Sequence, residues 1–193
     1  MTAHSRFSTV LILSLALLVP AVASAEPADT FVGDQQQELM TLLRQPKKND
    51  ASVTRVLDRV LDYDALARSS LGPLWEERTP AEREEFQKLL TGLVRKSYKK
   101  SISDILGYEV TIAGRKDIDQ KVLVETVAKS RTNAREEPVQ IDYLLHQVDG
   151  HWKVADVVTE GSSMVANYRS QFVKIVKKSG WDALLGKMKK KLG

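Results

Sequence analysis

The chain has 193 residues, of which 42% are hydrophobic, and its formal net charge at pH 7 is +4. It contains no cysteine, which excludes disulfides, thiol chemistry and a lipid-modified N-terminal cysteine. The mild positive charge is not typical of nucleic-acid-binding proteins, and the length suits one domain with a substantial core.

The first 25 residues have the pattern of a secretory signal peptide. Arg6 precedes an almost wholly apolar stretch, Val10–Val22, and the small residues Ala23-Ser24-Ala25 follow it. The apolar stretch is shorter than the roughly 20 residues that a membrane-spanning helix needs. We therefore predict cleavage after Ala25, export of the mature protein, and a single α+β domain over residues 26–193.

Apolar residues at helical spacing predict three helices in the first part of the mature chain. The first covers about residues 29–44 and ends before Pro46. The second begins at a cap formed by Asn49 or Asp50, and a shorter third helix ends at Gly72-Pro73.

A long fourth helix begins at Thr79-Pro80-Ala81-Glu82. Thr79 is the expected cap, Pro80 suits the first turn, and Glu82 completes a capping box. The residues that follow present one broad apolar face and one charged face. We expect this helix to end by Gly107.

The hydrophobic period then changes from helical to two. The alternation predicts four strands, centred on residues 108–112, 122–126, 139–145 and 152–158. The Asp149-Gly150 pair between the last two strands is typical of a type I′ hairpin turn. Short connections predict an antiparallel meander, whose apolar face must be covered. The expected fold class is therefore α+β, with a curved four-stranded antiparallel sheet packed against several helices.

Helical spacing returns after Gly161. Gly161-Ser162-Ser163 lacks the second glycine of a nucleophile elbow, and we expect it to cap the next helix. Gly180 ends that helix, and a last amphipathic helix follows. A basic run closes the chain; we expect it to be a solvated face, with a patch for anionic lipid or an acidic partner as the alternative (Lys187, Lys189, Lys190 and Lys191).

Patterns for metal, nucleotide or cofactor binding are missing from the sequence. The mature chain keeps two histidines, His146 and His151, which flank the predicted turn. A zinc site needs three or four ligands, and no carboxylate–histidine cluster accompanies these two. No P-loop or G-x-G-x-x-G occurs. We expect neither a metal nor a cofactor.

Two aspartates in the predicted strands are the best candidates for acid–base chemistry. Asp142 alternates with Ile141 and Tyr143, so it should face solvent. Asp156 is in register with the apolar residues of its strand, so it could point inward and act as a base with a raised pKa. The interpretation we favour is an ion pair or a hydrogen bond from Asp156 to a helix terminus.

Three blocks of sequence carry a resemblance to a known family. Leu71–Trp75 and Thr79–Phe86 resemble the family's LG-x-x-W … T-P-E-x-R-x-x-F pattern, and Trp152–Gly161 and Val165–Phe172 resemble its later blocks. Their order and spacing match, and they span nearly all of the mature chain. Together they resemble the MlaC, or toluene-tolerance, family of periplasmic phospholipid-binding proteins. Leu89-Leu90 departs from the aromatic-rich stretch expected there, which bears on the identity of the cargo.

The resemblance implies a non-enzymatic, monomeric periplasmic shuttle that maintains outer-membrane lipid asymmetry. Such proteins carry phospholipid between an outer-membrane lipoprotein–porin complex and an inner-membrane ABC transporter with an MCE-domain subunit. The implied fold is a nuclear-transport-factor-like cone with added N-terminal helices, which holds the acyl chains in a hydrophobic cavity. Some family members are associated with hopanoid lipids, so a hopanoid carrier is an alternative.

The expected lining of such a cavity consists of large side chains on the long helix, the apolar face of the sheet and the C-terminal helix (Leu89, Leu93, Tyr98, Ile102, Val110, Ile112, Val122, Val124, Ile141, Tyr143, Val154, Val158, Met164, Val165, Tyr168 and Phe172). Arg169 is expected to contact a head group or a partner, or else to form a structural salt bridge.

Two other classes of protein remain open at this stage. One is a small-molecule isomerase or dehydratase on the same cone, using Asp156 or Tyr143. The other is an interaction module with a filled core, because apolar stripes do not distinguish a filled core from a hollow one.

Overall fold

The computed structural model describes residues 26–45, 50–101 and 104–193. The predicted signal peptide and Ile102 lie outside these residues. The described residues form a five-stranded sheet and six α-helices, with short 3-10 turns at Gly72–Trp75 and Asp104–Gly107. The elements are α1 (Ala28–Leu43), α2 (Asp50–Val60), α3 (Tyr63–Leu71), α4 (Pro80–Ser101), β1 (Tyr108–Ile118), β2 (Lys121–Ser130), β3 (Val139–Val148), β4 (His151–Thr159), β5 (Ser162–Ser163), α5 (Met164–Ser179) and α6 (Trp181–Leu192).

The helix starts that were predicted from capping residues are confirmed at α4 and α5. The Thr79 backbone N–H donates to Glu82 Oε2 at 2.8 Å, and the Glu82 N–H donates to Thr79 Oγ1 at 3.3 Å. The Ala166 N–H donates to Ser163 Oγ at 3.0 Å. These bonds satisfy backbone donors that the first helical turn leaves unpaired.

The sheet is an antiparallel meander in the order β1-β2-β3-β4-β5. Asp149 and Gly150 both have positive φ angles, 50° and 78°, as a type I′ turn between β3 and β4 requires. The two-residue β5 was not predicted. The predicted α+β fold with an antiparallel sheet against helices is confirmed.

A β-bulge in β4 overturns part of the predicted register. Leu145 pairs with Val154 and Leu144 pairs with Asp156, so Ala155 is the extra residue. Beyond the bulge, Val157 lies opposite Tyr143 and shares the inner face of the sheet with Val154. Val158, which the alternation placed on that face, lies on the other one.

Asp142 is also placed differently from the prediction. It was expected to face solvent, but it is only 7% exposed. Gln140 donates its amide N–H to Asp142 Oδ2 at 2.9 Å, and Glu125 and Val158 flank Asp142 on the neighbouring strands. Long side chains of the outer face therefore cover this carboxylate, although it alternates with inward-facing residues.

Helices α3 to α6 pack around a solid core. Phe86 of α4 meets Phe172 of α5 edge-on, with ring centroids 5.4 Å apart, and Trp181 of α6 at 5.8 Å. Helices α1 and α2 add Val32, Val53 and Leu57 to the same core, and α1 packs against β1 and β2 and α2 against β4. Within the described ranges, no helix combines the length and the apolar character needed to cross a membrane.

Candidate functional site

A cavity separates α1 and α2 from the inner face of the sheet. It has a volume of about 90 Å³, and we call it the central cavity. None of the described residues that line it is charged, and most are aliphatic or aromatic (Phe31, Val32, Gln35, Gln36, Leu39, Val56, Leu57, Val60, Leu61, Tyr98, Ile105, Tyr143, Val154 and Val157). A concave site with this lining suits an apolar ligand.

Two clefts adjoin the central cavity and share lining residues with it. The α1–β1 cleft, with a volume of about 500 Å³, shares Gln36, Leu39, Ile105 and Tyr143 with the central cavity. The α4–α5 cleft, with a volume of about 370 Å³, lies between the end of α4, β4 and the start of α5, and shares Tyr98 and Val157. Both clefts therefore adjoin the central cavity, separated from it by these shared side chains.

The α1–β1 cleft changes character from its mouth to its inner end. Arg44, at the end of α1, and Arg131, after β2, line it together with apolar side chains such as Ile141. The Arg131 Nε donates to the Tyr108 carbonyl oxygen at 2.9 Å, which fixes the position of that guanidinium. The cleft thus pairs a cationic end with an apolar interior.

Polar contacts at the surface hold the helical wall of the central cavity in place. Arg59 of α2 donates to Gln35 Oε1 at 2.6 Å and contacts the Glu38 carboxylate, both on α1. Lys153 of β4 donates to the Arg59 carbonyl oxygen at 2.5 Å, which ties the end of α2 to the sheet. The Trp152 indole N–H donates to the Glu26 carbonyl oxygen at 2.5 Å.

Three buried tyrosines line the central cavity or the adjoining clefts. Burial raises the pKa of Tyr98, of Tyr143 and of Tyr168 above the usual tyrosine range, so all three hydroxyls are protonated at neutral pH. Tyr168 also stacks on Phe172, with ring centroids 5.4 Å apart. The site therefore offers hydrogen-bond donors in apolar surroundings, but no ionised group that could act as a base.

Eight of the sixteen predicted lining residues meet around these spaces. Tyr98, Tyr143 and Val154 line the central cavity, Met164 and Tyr168 line the α4–α5 cleft, and Val110, Ile112 and Ile141 line the α1–β1 cleft.

The other predicted residues are not among those that line these spaces. Five are buried in the packed core (Leu89, Leu93, Val124, Val165 and Phe172). Val122 packs against that core, and Val158 lies on the outer face beyond the bulge. Ile102 lies outside the described residues. The apolar face of α4 therefore fills the core along most of its length, and Tyr98 near its C-terminal end is the predicted α4 residue that reaches the cavity.

The sequence-based prediction missed the contributions of α1 and α2. Phe31, Val32 and Leu39 of α1 and Val56 and Val60 of α2 form the wall that faces the sheet. Their helical spacing was visible in the sequence. However, an apolar stripe indicates only that a helix face is shielded from water, and it does not show whether other side chains or a cavity lie against that face. Val157 was missed because the bulge at Ala155 moves its side chain to the inner face of the sheet.

The Asp156 carboxylate accepts hydrogen bonds from groups at the start of α5. It accepts hydrogen bonds from the Val165 N–H at 3.0 Å, from the Val157 N–H at 2.8 Å and from the Ser163 hydroxyl. The favoured prediction of a bond to a helix terminus is confirmed. The Arg169 Nε donates to the Ser69 carbonyl oxygen at 2.7 Å, and its contact with a head group or a partner stays a prediction.

No group of three or more potential metal ligands occurs among the described residues. The Lys-rich end of α6 is mostly solvated, and Lys189 pairs with Glu85 at 2.6 Å.

The comparisons with known proteins identify the family. The family model described as MlaC protein matches residues 26–190. The chain belongs to the MlaC family. The family resemblance that three sequence blocks carried is thereby confirmed. The match begins at the first residue after the predicted cleavage site.

Two relatives of this MlaC-family chain are similar to it in sequence along most of its length. The toluene tolerance protein ttg2D of Pseudomonas putida is 24% identical over 89% of this chain and 83% of its own length. The intermembrane phospholipid transport system binding protein MlaC of Haemophilus influenzae is 22% identical over 88% of this chain and 80% of its own length.

A solved structure shares the fold. It is a phospholipid-binding protein from Ralstonia solanacearum in complex with a phospholipid, 20% identical, with a TM-score of 0.74. The match covers 86% of this chain and 97% of that protein.

Proposed function

We propose that this protein is a periplasmic carrier that binds one phospholipid in the central cavity and moves it between membranes. The observation that carries the proposal is an apolar central cavity that adjoins a cleft with two arginines, Arg44 and Arg131, in its lining. Family membership supports it, since relatives with the same fold are named for phospholipid binding and transport.

The energetics favour a carrier with such a cavity. Each buried CH₂ group contributes about 0.8 kcal/mol, so exposing two long acyl chains to water costs on the order of 20 kcal/mol. Free diffusion of a phospholipid across an aqueous compartment is negligible against that cost. A cavity that covers the chains removes most of it. Release then requires a partner or a membrane that opens the cavity.

The lipid orientation that we propose follows from the difference between the arginines in the α1–β1 cleft and the uncharged lining of the central cavity. The phosphate lies at the mouth of the α1–β1 cleft, where Arg44 and Arg131 supply positive charge. The acyl chains extend past Ile141 and Tyr143 into the central cavity and the α4–α5 cleft.

The proposed route and location follow from the family. The precursor is cleaved after Ala25, and the mature protein is a soluble monomer in the periplasm. Its partners are an outer-membrane lipoprotein–porin complex and an inner-membrane ABC transporter with an MCE-domain subunit. The match of the family model from residue 26 onward supports this boundary.

We propose that the protein has no enzymatic activity. The Asp156 carboxylate is occupied by three donors at the start of α5, and the raised pKa of Tyr143 makes it a poor base. The isomerase or dehydratase alternative therefore lacks the base that it needs among its two candidate residues. No observation favours a hopanoid over a phospholipid.

Purification from the periplasm without added lipid tests the proposal. Native mass spectrometry should find about one phospholipid per chain, and the intact mass should correspond to a start at Glu26. The protein should then transfer a labelled phospholipid between two vesicle populations. A lipid-free protein that also fails to transfer lipid would contradict the carrier function.

A further inference from the structure

Two polar side chains lie at the boundary between the α1–β1 cleft and the central cavity. Gln36 of α1 and Tyr143 of β3 line both spaces. The Gln36 side chain contacts the Tyr143 hydroxyl and opposes the rise in the Tyr143 pKa that burial causes. Yet the amide nitrogen of Gln36 is buried and has no hydrogen-bond partner among the described residues.

An unpaired donor in such surroundings calls for an explanation. Buried polar groups are nearly always hydrogen-bonded, and those without a partner are rare in native proteins. Neighbouring positions on α1 show that partners are available elsewhere, since Gln35 accepts from Arg59 and Asp29 pairs with Arg115. Gln36 instead lines the spaces that a ligand would fill. Tyr143 beside it keeps its proton, because burial raises its pKa.

The position of this pair matches one part of a lipid molecule. Arg44 and Arg131 line the outer cleft, and the central cavity beyond the pair is lined by uncharged, largely apolar side chains. A phospholipid presents phosphate, then carbonyl groups, then hydrocarbon in the same order. A carbonyl oxygen accepts hydrogen bonds and is the chemical complement of an N–H and an O–H donor.

We propose that Gln36 and Tyr143 form an ester-recognition site, in which they donate hydrogen bonds to an acyl carbonyl of the bound lipid. The site selects acyl lipids over alkyl ether lipids of the same length, which lack the carbonyl oxygen. This inference rests on the proposed carrier function and adds a chemical selectivity that hydrophobic burial alone does not supply.

Discrimination of this kind is expected to be moderate but measurable. Replacing the ester by an ether leaves both donors unpaired in an apolar site, and each net hydrogen bond is worth about a fivefold change in affinity. We therefore expect the protein to enrich the diester lipid about tenfold over its diether analogue. Variants that remove the donors, Gln36→Leu and Tyr143→Phe, should each reduce that enrichment severalfold, and the double variant should abolish it.

The experiment is a competition for capture by the purified protein. Vesicles contain equal amounts of diester phosphatidylethanolamine and of the diether analogue with the same chain lengths, and native mass spectrometry gives the ratio of the two captured lipids. Because the ratio is read on loaded molecules, partial instability of a variant does not affect it. Tyr63→Phe is the matched control: this tyrosine bonds Asp58 and does not line the cavity, so the enrichment should persist.

Each outcome decides one part of the inference. Capture of both lipids in equal amounts by the wild type overturns the ester site and leaves the carrier function intact. Capture of neither lipid contradicts the carrier function itself. Enrichment that persists in the Gln36→Leu/Tyr143→Phe double variant overturns the assignment to these two residues. Enrichment that the double variant loses and Tyr63→Phe retains supports the inference.

Discussion

His146 of β3 and Asp62, between α2 and α3, are joined by a hydrogen bond of 2.7 Å from Nε2 to Oδ2. Asp62 also accepts from the Ala65 N–H at 2.9 Å and thereby caps α3, and its own N–H donates to the Val154 carbonyl oxygen at 3.0 Å. One residue thus connects the end of the cavity wall, the start of α3 and two strands. The orientation of α2 over the cavity depends on this connection.

The Asp62–His146 pair can be tested by a double-mutant cycle. Asp62→Ala should lower the free energy of unfolding by about 2–3 kcal/mol, since it removes a helix cap and a partly buried hydrogen-bond acceptor. His146→Ala should cost about 1 kcal/mol. The double variant should lose less than the sum, because both single changes break the same bond. Denaturant unfolding measures all three, and additivity to within about 0.5 kcal/mol would contradict the coupling.

Asp156 is predicted to be structural. Asp156→Ala leaves the Ser163 hydroxyl and the Val157 and Val165 N–H groups without their acceptor, and should lower stability by about 2–3 kcal/mol. The folded variant should still carry lipid. Asp34→Ala, at an exposed position of α1, is the control and should change stability by less than about 0.5 kcal/mol. A stable, lipid-loaded Asp156→Ala protein that fails in the cell would favour an enzyme.

Alkaline pH should destabilise the protein through its tyrosines. All five have raised pKa values, and burial with a hydrogen bond to Asp58 raises the pKa of Tyr63 to about 12. The folded state therefore holds these protons more tightly than the unfolded state. Their contribution to stability is complete below pH about 10 and is lost as the pH rises through the folded values.

Phenolate absorbance measures this effect. Native protein should ionise its tyrosines at higher pH than urea-unfolded protein, and unfolding should become easier above pH about 10. Tyr63→Phe should remove part of the difference. Coincident titration curves for the native and unfolded protein would contradict the prediction.

Elements that are specified by a few neighbouring residues were predictable from the sequence, and the position of the central cavity was not. The Thr79–Glu82 capping box and the Asp149-Gly150 turn are specified within four residues, so the start of α4 and the β3–β4 hairpin came out as expected. The bulge at Ala155 depends on pairing between strands and on the use of Asp156 by α5. Single-sequence alternation carries neither piece of information.

The location of the cavity depends on packing between distant segments. The apolar faces of α2 and α4 look alike in the sequence and both contribute to the core, yet α2 also lines the central cavity along Val56 and Val60. Helix α4 packs against α3 and α6, and its Phe86 meets Phe172 of α5. The family resemblance predicted a cavity, and the structure places it between α1, α2 and the sheet.

The two valines Val124 and Val157 offer a direct comparison of packed core and cavity. Val124 is fully buried among core residues, whereas Val157 lines the boundary between the central cavity and the α4–α5 cleft. Val124→Trp should overpack the core and cost about 1–3 kcal/mol or more. Val157→Trp should instead place the ring in space that lipid occupies, so the protein stays folded and its lipid content falls.

Native mass spectrometry beside a thermal melt separates these effects. We expect Val124→Trp to lower the Tm with the remaining folded protein still loaded, and Val157→Trp to lower occupancy with a smaller change in Tm measured on lipid-free protein. The Tm is compared on lipid-free protein because losing a bound ligand lowers the apparent stability by itself. Val157→Ala is the matched control, since it enlarges the cavity and should keep the lipid. A folded Val157→Trp protein with as much lipid as the wild type would mean that the space beside Val157 is not where the acyl chains lie.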